Sequence, residues 1–107
     1  MARIALLSSD LLFGSKVQGG LQAAGHEVTM ARGADPEADL LVVDLVTSSY
    51  DDDELTSLGS AGVVLGFYAH TDQEIRRRAE AAGFDLVVPR SRMMREMASL
   101  VDRLVPA

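Results

Sequence analysis

Short apolar runs recur along the chain: RIALL (residues 3–7), EVTMA (27–31), DLLVVDL (39–45), GVVLGFY (62–68) and DLVVP (85–89). Each is too short for a helix and rich in Val, Leu or Ile, which predicts strands. Most are apolar without interruption, as a parallel strand covered by helices on both faces requires. EVTMA alone alternates, and this predicts an edge strand.

Between these runs the apolar period lengthens. Phe13, Val17, Leu21 and Ala24 fall three or four apart, and Gly25 supplies a residue able to close that helix with positive φ. SSYDDDELTSL predicts a helix opened by serine caps, with its acids in the first turn where the helix dipole favours negative charge. In HTDQEIRRRAEAAGFD, Thr71 and Glu74 have capping-box spacing, Ile75, Ala79 and Ala82 form the inner face, and Gly83 ends the helix. A last helix is expected from Ser91 to about Leu104. Met94, Met97, Val101 and Leu104 lie on one side of it, and Met93 and Leu100 widen that apolar stripe.

Alternating strands and helices imply right-handed crossovers and an open parallel sheet between helical layers. One link departs from this rule. Between the second and third strands only RGADPEA is available, and a Pro-containing segment of that length predicts a shortened or missing helix.

Composition narrows the class. The 107 residues are 48% hydrophobic and 24% charged, which describes one domain over residues 1–107 with a single core. Cysteine is absent, so disulfides, thiolate metal sites and cysteine nucleophiles are excluded. No window approaches the roughly 18 apolar residues of a membrane span, and a soluble cytoplasmic chain is expected. The net charge is −6, with 3 basic and 10 acidic residues over positions 1–71 against 7 and 6 over the remainder. Such a surface repels phosphate backbones and argues against direct nucleic-acid binding.

In open α/β sheets the working groups sit beyond the carboxyl ends of the strands. Those ends present Ser8, Ser9 and Asp10, then Asp44, then Tyr68 and His70, then Arg90 and Ser91. With LLVVDL as the third strand, VVLGFYAHTDQEIRRRAEAAGFDLVVPRS as the fourth strand onward, and AAG closing both long helices, the chain resembles the receiver domains of bacterial response regulators. The resemblance spans essentially the whole sequence. It implies a three-layer flavodoxin-like fold with a five-stranded sheet in the order 2-1-3-4-5, and a phosphorylatable Asp ending the third strand, here Asp44. It also implies an acidic pair after the first strand to hold Mg²⁺, a Ser or Thr after the fourth and a Lys after the fifth.

Most of that set is replaced. The acidic pair falls on Ser8 and Ser9, with Asp10 one position late; the hydroxyl falls on Tyr68 and the Lys on Arg90. Phosphoryl transfer to a carboxylate brings like charges together and relies on a metal ion to neutralise them. Asp44 and Asp10 alone would hold Mg²⁺ only weakly. Arg90 has a planar fork suited to a carboxylate, so an Arg90–Asp44 pair is expected in place of metal and phosphoryl group.

Simpler readings stand beside these. Asp44 can instead be a solvated strand end, a cap or a working phosphoacceptor. The acids at 51–54 need only be a helix start. Arg76, Arg77 and Arg78 point about 100° apart on a helix and form no single patch. His26 and His70 have no partners at ligand spacing. Met93, Met94, Met97, Leu100 and Val101 are either core or a surface for a protein partner or a second copy. The expectation is a non-enzymatic, atypical receiver-like module without a resident cofactor. The alternatives are a small-ligand-binding domain and a working receiver at Asp44.

Overall fold

The computed structural model describes residues 1–106. Its elements follow the order β1 (Arg3–Leu7), α1 (Leu11–Ala23), β2 (Glu27–Met30), β3 (Leu40–Asp44), α2 (Asp52–Gly59), β4 (Val64–Tyr68), α3 (Gln73–Ala81), β5 (Leu86–Pro89) and α4 (Arg90–Leu104). The five strands form one parallel sheet in the order β2-β1-β3-β4-β5, with β2 at an edge, as its alternating sequence predicts.

The pleat sorts the apolar runs between two cores. Ile4, Leu6, Leu40, Val42, Leu65 and Phe67 face α1 and α4, where Val17, Leu21, Met93, Leu100 and Val101 close over them. Ala5, Leu7, Leu41, Val43, Val64 and Tyr68 face the other way, against Leu55 and Leu58 of α2 and Ile75 and Ala79 of α3. Continuous apolar runs are therefore required in the central strands β3 and β4, where neither face of the sheet meets water.

The expected short link is a link without a helix: residues 31–39 contain only turns and bends. Helices α1 and α3 end as predicted, with Gly25 and Gly83 at φ 97° and 99°, a region open to Gly at no steric cost.

The helix starts differ in detail from expectation. Asp51, rather than a serine, caps α2 in a reciprocal capping box with Glu54. Asp72, rather than Thr71, caps α3 by accepting from the Ile75 amide. In both cases a carboxylate at the competing position takes the cap, where it also meets the positive end of the helix dipole.

The stripe on the last helix, read from the sequence as either core or interaction surface, is largely internal. Met93, Leu100 and Val101 are buried in the core over α1 and the sheet, and Met94 and Met97 pack half-buried at its margin. The Met97 side chain lies directly over Gly20, so a Cβ there would require that flexible thioether to move aside. Helix α4 needs its wide stripe because it covers both the sheet and α1. The helix also bends at Glu96, whose φ and ψ are −128° and 17°.

Candidate functional site

Asp44 ends β3 fully buried, with no solvent exposure, and it is the one charged residue in the described core. The pleat turns its side chain toward the α1 and α4 face, level with Phe67 on β4. Oδ1 accepts from the backbone N–H groups of Val46 (2.8 Å) and Thr47 (3.2 Å). Oδ2 accepts from the hydroxyls of Ser8 and Thr47, both at 2.7 Å. Backbone bonds to residues two and three further on are how an Asp side chain folds a turn, so the acid that terminates the strand also shapes the segment that follows.

The turn continues into a chain of hydroxyls. Ser9 Oγ lies 3.3 Å from Thr47 Oγ1 and 2.7 Å from Ser48 Oγ. Ser8 also accepts from the Asp10 amide at 3.2 Å. Tyr50 closes this side, half-buried; burial pushes its phenol above the ordinary value, and a hydrogen bond with Ser48 offsets that only partly. The phenol therefore stays protonated through the neutral range.

The other expected site residues separate. Asp10 caps α1, accepting from the Phe13 amide at 3.0 Å. Tyr68, one residue beyond Phe67, is buried on the opposite face of the sheet with Leu7, Val43 and Ile75. His70 is exposed and its carbonyl accepts from the Gln73 side chain. The expected Arg90–Asp44 pair is not formed: Arg90 lies over the Phe13 ring, 5.3 Å from its centroid, and Phe13 in turn packs against Phe67 at 5.1 Å. Four donors already fill Asp44, whereas an aromatic face attracts a guanidinium without requiring it to lose all its water.

Thr47 and Ser48 are the contributors that strand-end reading missed. The signal was present in DLVTSS, because a Thr three residues after an Asp can return both its amide and its hydroxyl to that carboxylate.

The metal ion that the resemblance implies does not suit these donors. Mg²⁺ demands near-ideal octahedral oxygens with lone pairs to give. Here one carboxylate has both oxygens engaged, the neighbouring acid is spent on a helix cap, and the remaining groups are hydroxyls. Among the described residues no group of three His, Cys, Asp or Glu side chains is placed to hold a metal.

No family model matches the sequence, and no curated protein matches it either. Solved structures do match its fold. A response regulator receiver domain from Clostridium thermocellum superposes with a TM-score of 0.80 at 14% identity, over 97% of this chain and 94% of that one. The chain has the receiver fold. The Francisella response regulator 1452 receiver domain gives 0.79 at 16% identity, over 97% and 96% of the two chains. The Mn(2+)-bound form of response regulator Rcp1 gives 0.72 at 15% identity, over 100% and 97%. Asp44 ends β3, where the resemblance would place a phosphoacceptor, and Ser8 and Ser9 follow β1, where it would place acids.

Proposed function

We propose that this domain is an atypical receiver-like signalling module. Its output is protein–protein contact, and it lacks efficient Mg²⁺-dependent phosphorylation of Asp44. The observation that carries this reading is the saturation of Asp44: it is fully buried and its two oxygens accept four hydrogen bonds. An in-line phosphoryl transfer needs one of those oxygens free to attack and a cation beside it. Freeing Oδ2 means turning away both Ser8 and Thr47, and a Mg²⁺ ion bound in their place would be held weakly, since no second carboxylate joins it.

The rest of the chain supports an interaction module over an enzyme. No hydroxyl in the cluster has a histidine or lysine partner to act as its base among the described hydrogen bonds. The net charge of −6 argues against nucleic acid as the partner. No helix among the described residues is long and apolar enough to cross a membrane. Contact through α4 would use its outer side, Arg95, Ala98, Ser99 and Asp102, with the margins of Met94 and Met97, because the centre of the stripe is occupied.

Incubation with Mg²⁺ and acetyl phosphate, followed by intact-mass measurement, tests the proposal. The expected result is no stoichiometric adduct, and no shift of the Ser8 and Thr47 amide resonances with Mg²⁺ and fluoroberyllate. A stoichiometric adduct abolished by Asp44→Ala would overturn it.

A further inference from the structure

The link between β2 and β3 covers one end of the sheet with little material. Where a crossover helix would bring bulky side chains, Ala31 and Ala38 pack against the core formed by Leu7, Leu41 and Leu58. A solvent-open groove of about 340 Å³ lies between this link and α2, at the carboxyl end of β1. That volume lies at the lower end of the range used for small-molecule sites.

Its chemistry is divided. Leu7, Leu58 and Tyr50 supply apolar surface, Arg32 and Gly33 come from the link, and Asp53, Glu54 and Ser57 come from α2. Glu54 is committed to the cap of α2, where its Oε1 accepts from the Asp51 amide. Arg32 and Asp53 take part in none of the ion pairs among the described residues. A cation and an anion on two different elements thus border one hollow, and neither forms an ion pair among the described residues.

We propose that this groove is a binding site for a free amino acid with an apolar side chain. Its carboxylate meets the Arg32 guanidinium, whose fork matches a carboxylate. Its ammonium meets Asp53, and its side chain lies on Leu7, Leu58 and the Tyr50 ring. Nucleotides and other polyanions are disfavoured, because Asp53 and Glu54 outnumber the single cation. The site uses neither Asp44 nor a metal, so its test is independent of the phosphorylation experiment.

The test is a titration of the isotopically labelled 107-residue chain with L-leucine and L-phenylalanine, followed by amide resonances. Isoamylamine, which lacks the carboxylate, and isocaproate, which lacks the ammonium, serve as controls. Saturable shifts are expected at Leu7, Arg32, Gly33, Tyr50, Ser57 and Leu58 below about 10 mM ligand. Both controls should bind more weakly than L-leucine. Arg32→Gln and Asp53→Asn should each weaken the amino acid roughly tenfold, the cost of one charged hydrogen bond. Both side chains are exposed, so unfolding curves close to the parent's will show that the fold is kept. The proposal is overturned if neither amino acid moves these amides, if either control binds as well as L-leucine, or if both variants bind as the parent does.

Discussion

At the scale of single residues, the donors around Asp44 set what each substitution costs. Asp44→Ala leaves two backbone N–H groups and two hydroxyls without their acceptor in a buried site, and should lower stability by about 2–4 kcal/mol. Asp44→Asn keeps an oxygen for the amides of Val46 and Thr47, while its NH₂ can donate to the hydroxyls of Ser8 and Thr47 once these rotate. It should stay within about 1 kcal/mol of the parent. Urea denaturation of the two variants checks this. Equal losses for both would mean that the negative charge, not the hydrogen-bond geometry, holds the turn. That Asp44 is a special position was legible in the sequence as an acid inside an apolar run. Ser8, 36 positions away, could be placed beside it only through the receiver resemblance, and Thr47 went unread because the turn that returns it takes shape only with the side chain in place. That Arg90 lies over the Phe13 ring was equally hidden, since packing and not sequence spacing brings the two together.

At the scale of elements, close approach explains what propensity alone would misjudge. Gly59 ends α2 against the backbone carbonyl of Ala82 at the end of α3, so an added Cβ would collide with backbone that cannot swing aside. Gly59→Ala should cost about 1–3 kcal/mol despite the better helix propensity of Ala. Gly19, inside α1, has nothing within 4 Å of where a Cβ would stand. There the same change should add up to about 1 kcal/mol. Opposite shifts of the urea midpoint check the pair; two shifts of the same sign would contradict it. Strands and helix ends were readable because apolar period and positive φ are local properties. The exact caps were not, since Ser49, Asp51, Thr71 and Asp72 are all residues able to cap and only the structure selects among them. Arg78 shows the same limit. It joins α3 to α2 through Asp52 (2.7 Å) and the Tyr50 carbonyl (2.7 Å), a link that a run of three arginines does not announce.

At the scale of the whole molecule, β3 and β4 are buried along their full length while β2 buries only Val28. Local opening should follow that gradient. Native-state amide exchange is expected to be slowest in β3 and β4 and fastest, among the strands, in β2; uniform protection across the sheet would count against the two-sided core as the source of stability. An open parallel sheet was legible in the alternation of strands and helices, its order 2-1-3-4-5 only through the receiver resemblance, and that order holds even where the link from β2 to β3 carries no helix. That link also has a bearing on time. Closing a chain segment costs entropy that falls slowly as the segment shortens, by about 0.6 kcal/mol for each halving. With little chain to gather between β2 and β3, the encounter that seats β1 between them is made cheaper. The same economy that leaves a hollow beside Leu7 in the finished molecule should therefore quicken its folding, and lengthening residues 31–39 with Gly and Ser should slow refolding in stopped-flow measurements by a factor that accounts for most of the stability it removes.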